Sequence, residues 1–298
     1  MTELGRLLTA MVTPMNSQGE IDWKQTKKLA NALLDSGSQG LVVGATTGEG
    51  PTLTHEEKLK LWSDVKTTVG DRGAVIANTG NYSTIESVNM SREAENVGVD
   101  GLLLTVPYYN KPPQEGIYQH FKTIAESTRL PCILYNIPGR TGVKMSLETT
   151  IRTSHIDNIV GVKDATGDFE LISETIKGAA VGFRVWSGND GDTFPLMCVG
   201  GYGVICVISN LFGNQMRNLI DLTVQGKIKE AADEHRRLLP LCNDMTGLAS
   251  NPIPIKYAMN RSGFQVGTPR LPLIPADEYT ASGVDKLLSS FSVDLSTS

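Results

Sequence analysis

The feature that most limits how this chain can fold is a set of short apolar, β-branched runs that returns eight times, at 7–15, 40–47, 74–80, 101–109, 131–138, 159–165, 184–190 and 203–209. Between them lie longer amphipathic stretches, among them 23–34, 55–69, 84–96, 114–127 and 214–225, several opening with a Ser, Thr or Asp that can cap a helix. Apolar runs separated by helical periods predict repeated βα units and a parallel sheet. Eight alternations predict a closed (β/α)8 TIM barrel, an α/β fold whose usual size of about 250 residues fits within the 298 present. An open doubly wound sheet is the rival, but it needs a glycine-rich turn after the first strand, and the first run leads into Thr13-Pro14-Met15-Asn16. The barrel is expected over residues 1–226. The remainder, 227–298, is expected as a C-terminal helical domain, with helical pattern at 227–244 and 254–262 and a proline-marked loop at 269–275.

Composition removes several classes of function. A hydrophobic share of 40% with 20% charged residues excludes disorder. A net charge of -5 leaves no basic field for a polyanion, so no nucleic-acid partner is expected. No apolar run approaches the roughly 18 residues of a membrane span, so no membrane partner is expected either. Cys132, Cys198, Cys206 and Cys242 are widely spaced and unpaired in pattern, which fits reduced thiols in a cytoplasm. His55, His120, His155 and His235 stand singly, so no metal is expected. Asp190-Gly191-Asp192 reads as a capped turn, because the rest of a calcium loop is missing.

In a barrel of this kind the active site lies at the C-terminal ends of the strands, so the polar residues that close each run carry the argument. Run two closes in Gly44-Ala45-Thr46-Thr47-Gly48-Glu49, run four in Pro107-Tyr108-Tyr109-Asn110, run five in Tyr135-Asn136-Ile137-Pro138-Gly139-Arg140 and run six in Lys163-Asp164-Ala165-Thr166. Lys163 follows Ile159-Val160-Gly161-Val162 with no turn signal between, which places an ammonium at the barrel mouth. Either its stem carries the charge out to solvent, or the amine is desolvated, loses its proton and becomes a nucleophile. Tyr135 can offer a phenol or serve as a core ring. Thr46 and Thr47 can hold a small anion or simply end a strand. Arg140 can clamp a carboxylate or sit in water. Taken together, an amine, phenols, hydroxyls and a guanidinium describe a Schiff-base site for a 2-oxo acid.

These residues and their neighbours, GATTGEG at 44–50, TVPYYNKP at 105–112, YNIPGRTG at 135–142, GVKDATGD at 161–168, SGNDGD at 187–192, GGYGVICVISN at 200–210 and NPIPIKYAMN at 251–260, resemble the dihydrodipicolinate synthase family of class I aldolases, within the N-acetylneuraminate lyase superfamily. The resemblance spans nearly the whole chain. It implies a cofactor-free lyase of lysine and diaminopimelate biosynthesis, in which pyruvate and L-aspartate 4-semialdehyde condense through an imine on Lys163. It further implies a proton relay of Tyr135, Thr46 and Tyr109, with Tyr109 crossing to a neighbouring subunit, and a homotetramer built as a dimer of dimers. Thr47 and the backbone around Ile205 match the pyruvate carboxylate site, Arg140 matches the clamp for the second substrate, and Gly188 matches the space kept beside it. The same resemblance leaves a sialate or 2-keto-3-deoxy sugar acid aldolase as second reading, and a non-catalytic 2-oxo-acid-binding barrel as third. Arg140 and the Tyr108-Tyr109 pair favour the synthase, since an amino-acid aldehyde needs a cation where a sugar needs neutral partners. In members of this family that lysine inhibits, the regulatory positions match Gly50, Pro51, His55, Lys58, Tyr82, Glu86 and Tyr108. Gly50, Lys58 and Tyr82 depart from the usual serine, histidine and asparagine, so weak or absent feedback by lysine is expected.

Overall fold

In the computed structural model, which describes residues 4–297, the eight apolar runs contribute eight parallel strands. They are β1 (Leu7–Ala10), β2 (Gly40–Val43), β3 (Ala74–Asn78), β4 (Gly101–Thr105), β5 (Cys132–Asn136), β6 (Ile159–Asp164), β7 (Arg184–Ser187) and β8 (Gly203–Cys206). Each pairs with the next, and β8 closes on β1 with Leu8 opposite Ile205. The strands are shorter than the apolar runs. The C-terminal part of each run leaves the ladder and builds the barrel mouth, which is why reactive side chains collect there.

The helices are α1 (Trp23–Asp35), α2 (His55–Val69), α3 (Thr84–Val97), α4 (Gln114–Ala125), α5 (Pro138–Thr141), α6 (Leu147–Ser154), α7 (Phe169–Gly178), α8 (Thr193–Cys198), α9 (Ser209–Val224), α10 (Ile228–Gly247), α11 (Ile253–Arg261) and α12 (Glu278–Ser290). Local chemistry sets their starts. Asp22 accepts the Gln25 amide at 2.9 Å, and Thr54 and Glu57 form a reciprocal capping box at 3.2 and 2.9 Å. Helix α9 begins at Ser209, earlier than the periodicity at 214–225 predicts, and Phe212 breaks its helical geometry (φ -124°, ψ 43°).

Strand alternation divides the buried residues into two layers. Leu8, Val42, Ile76, Leu103, Ile133, Tyr135, Trp186 and Ile205 fill the barrel interior. Their chain neighbours Leu7, Leu41, Val75, Leu102, Leu134, Val185 and Val204 pack outward under the helices. On β6 the register slips once beside Ile133, after which Val162 faces outward and Lys163 pairs across to Tyr135 and Trp186. A Cβ on Gly161 would stand 2.6 Å from the Trp186 ring, so glycine there makes room for the indole that plugs the barrel below Lys163. The indole is held by its N–H bond of 3.0 Å to the Gly5 carbonyl.

The segment after the barrel docks on the same mouth. Lys256 of α11, fully buried, donates to Glu49 Oε1 at 2.8 Å and to the carbonyls of Thr13 and Thr268 at 3.0 and 3.1 Å. Glu49 Oε2 accepts the Arg270 amide at 2.6 Å, and the Arg270 guanidinium forks onto Glu57 at 2.8 and 2.7 Å. This charged seam joins the loop after β2 to the C-terminal chain. Among the described residues no helix is long and apolar enough to cross a membrane.

Candidate active site

A cavity of about 430 Å³ opens at the C-terminal ends of the strands, and six of the residues singled out from sequence line it: Thr46, Thr47, Tyr135, Arg140, Lys163 and Gly188. Lys163 is 5% exposed, and its Nζ lies 4.3 Å from the centroid of the Tyr135 ring. Burial lowers its amine from 10.5 to about 8, with Asp190 and Cys206 opposing the shift and Arg140 adding to it. Of the two readings, the fold therefore keeps the side chain inside the mouth instead of carrying its charge out to solvent. Burial also raises the Tyr135 phenol well above its ordinary value, opposed by the Arg140 charge and by a side-chain hydrogen bond with Thr46. At neutral pH that phenol keeps its proton and can donate it, so an amine and an acid stand side by side.

Thr47 is buried, and its Oγ1 accepts a 2.9 Å bond from Asn251 Nδ2. Arg140 stands on the exposed rim, in the last turn of α5, where it lines both this cavity and a second one of about 230 Å³. The second cavity is also walled by Thr46, Gly50, Lys58 and Tyr108. Gly188 is tightly confined, since a Cβ there would sit 2.7 Å from Ala165 Cβ.

Two expected residues do not reach the cavity within one chain. Tyr109 is 91% exposed, with a left-handed φ of 70°, and lines neither cavity. The Ile205 side chain is fully buried in the barrel interior beneath the cavity, and Val207, two residues on, lines it instead.

Among the lining residues that are not site candidates from sequence are Asp190, Cys242 and Asn251. Asp190, read as part of a capped turn, is 4% exposed, and its carboxylate accepts the Val207 amide at 3.0 Å and the Ile208 amide at 2.8 Å. It thereby ties the β7 loop to the entry of α9. Burial raises its acid, the two amides oppose that shift, and the charge of Lys163 opposes it further. Its position right after β7 was the available signal, overridden by the local turn pattern. Cys242 and Asn251 come from beyond the barrel, where strand-end logic does not reach. Burial holds the Cys242 thiol well above its ordinary value, so it lines the cavity as a small neutral group.

The site is thus a desolvated lysine at the C-terminal mouth of a parallel barrel, flanked by a protonated phenol and a rim guanidinium, the end of this fold where enzymes carry their active sites. The model of the dihydrodipicolinate synthetase family matches residues 3–291. A 4-hydroxy-tetrahydrodipicolinate synthase of Dehalococcoides mccartyi (strain CBDB1) is 54% identical over 295 residues, covering 99% of each chain. The crystal structure of a dihydrodipicolinate synthase from Bacillus anthracis superposes with a TM-score of 0.95 at 45% identity, covering 98% of this chain and 100% of that one. Another, from Acinetobacter baumannii and complexed with pyruvate, gives a TM-score of 0.94 at 37% identity, covering 97% and 99%. The chain belongs to the dihydrodipicolinate synthetase family. Its activity is that of a lyase of the 4-hydroxy-tetrahydrodipicolinate synthase kind.

Proposed function

We propose that Lys163 carries this activity by bonding covalently to pyruvate, and that L-aspartate 4-semialdehyde is the second substrate. The observation that carries the reading is the Lys163 amine, buried in a cavity beside Tyr135 and lowered to about 8. The free amine adds to the pyruvate ketone, and loss of water leaves an imine. Removal of a methyl proton converts the imine to an enamine, whose carbon attacks the aldehyde carbon of the semialdehyde while the aldehyde oxygen takes up a proton. The ammonium of the adduct then gives up a proton, and the free amino group attacks the imine carbon and displaces Lys163, closing the ring and restoring the free amine. Tyr135, paired with Thr46, is placed to give and recover these protons. Thr47 and the backbone near Ile205 and Val207 hold the pyruvate carboxylate, Arg140 holds that of the second substrate, and Gly188 leaves space beside it. No cofactor is needed.

The exposed ring of Tyr109 supports the rest of the proposal. With 91% of its surface open and its backbone in the left-handed region, it is set to enter the site of a second copy and complete the relay there. We accordingly read the assembly as a homotetramer, a dimer of dimers, working in the cytoplasm. Incubation with pyruvate and borohydride, followed by peptide mass analysis, tests the central step. The expected result is a reduced pyruvyl adduct on the Lys163 peptide, and an unmodified Lys163 peptide with full recovery would overturn the reading.

A further inference from the structure

We infer that Asn251 is a substrate-binding residue that reads both substrates at once, with Nδ2 aiming the Thr47 hydroxyl at the pyruvate carboxylate and Oδ1 accepting the ammonium of the aldehyde. The inference rests on the proposed use of the cavity and goes beyond it, because Asn251 comes from the segment after the barrel, immediately before α11. Asn251 Nδ2 donates to Thr47 Oγ1 at 2.9 Å. A hydroxyl oxygen that accepts this bond turns its own hydrogen elsewhere, and among the described residues that hydrogen has no acceptor. It is left for the anion in the cavity. Asn251 Oδ1 is the complementary case: it is buried and has no donor among the described residues. An unpaired buried carbonyl is costly unless a ligand supplies the donor. Pyruvate carries no N–H or O–H at neutral pH, whereas the amino-acid aldehyde carries an ammonium. Both acids on the cavity wall already accept hydrogen bonds from the protein. Asp190 is taken by the Val207 and Ile208 amides, and Asp192 accepts Asn189 Nδ2 at 2.8 Å.

Two variants separate the two halves of the amide. Asn251→Ala removes both. Asn251→Asp keeps the shape and the acceptor but takes the Thr47 hydrogen for itself. With Asn251→Ala the KM for L-aspartate 4-semialdehyde should rise about tenfold or more, as expected for losing a bond to a charged group. The inhibition constant of succinate semialdehyde, the same aldehyde without its amino group, should move less than about twofold. In borohydride trapping, Asn251→Ala and Asn251→Asp should both raise half-saturation for pyruvate, and neither should raise it further in a Thr47→Val background. Asn251→Asp should keep its affinity for the aldehyde. Equal losses for the two aldehydes, or additive losses with Thr47→Val, would overturn the inference and assign Asn251 a purely structural role. If the unaltered protein is not trapped on Lys163 at all, the proposed function fails instead, so the two failures are distinguishable.

Discussion

Replacing Lys163 by methionine should abolish catalysis and, at the same time, make the protein more stable at neutral pH. The amine titrates near 10.5 in an unfolded chain and near 8 in the folded one, with burial as the leading cause. The unfolded chain therefore binds more protons between those two values, and stability rises with pH across that window. Below about pH 8 both states are protonated, and the full cost of holding an ammonium in the barrel is present. A displacement from 10.5 to about 8 corresponds to about 3 kcal/mol at pH 7. By pH 10 the folded amine is neutral and most of the unfolded one is still charged, which leaves a cost of about 1 kcal/mol. Methionine is close in length and volume and carries no charge, so it removes this cost without opening a cavity. Urea melts of both proteins at pH 7 and pH 10 measure the difference, and the pairing cancels every group the two share. The expected gain is up to about 3 kcal/mol at pH 7, shrinking to about 1 at pH 10. A loss of stability at pH 7, or a gain that does not change with pH, would show that the barrel does not desolvate Lys163. The same displacement raises the free-amine fraction at pH 7 on the order of 300-fold, as the proposed imine chemistry requires.

Three further outcomes follow from the same geometry. Arg140→Leu should abolish use of the semialdehyde, with kcat/KM down about 100-fold or more, while pyruvate trapping on Lys163 persists; loss of both would make Arg140 structural. Lys58 is largely desolvated within the wall of the second cavity, near Gly50 and Tyr108, and burial lowers its amine while Glu86 opposes the shift. Its charge should repel the ammonium of lysine, so an inhibition titration should show no half-maximal effect below about millimolar lysine. Lys256→Met leaves the buried Glu49 carboxylate without its cation, since both side chains are 1% exposed. It should cost about 3–5 kcal/mol in denaturant melts at neutral pH, and a cost under about 1 kcal/mol would mean that the seam contributes nothing to holding the C-terminal segment.

The barrel was legible in the sequence because strand alternation and helical period are local properties. Leu41, Val42 and Val43 are apolar at every position, as in a strand buried on both faces, and eight such runs with helices between them fit a closed barrel. The same locality made Lys163, Tyr135, Thr46, Thr47 and Arg140 readable as strand-end residues. It also made the turn at Asp190–Asp192 readable, but not the reach of the Asp190 carboxylate to the amides at 207 and 208.

What the order of residues determined by itself was the fold class, the end of the barrel that bears the chemistry, and the side chains that each strand delivers to it. Only the tertiary structure decided the desolvation of the Lys163 amine, the contact of Asn251 with a threonine 204 positions earlier, and the burial of Lys256 against Glu49. The physical reason is range. Periodicity acts over a few bonds, whereas desolvation and the pairing of distant polar groups depend on which parts of the chain come to exclude water together.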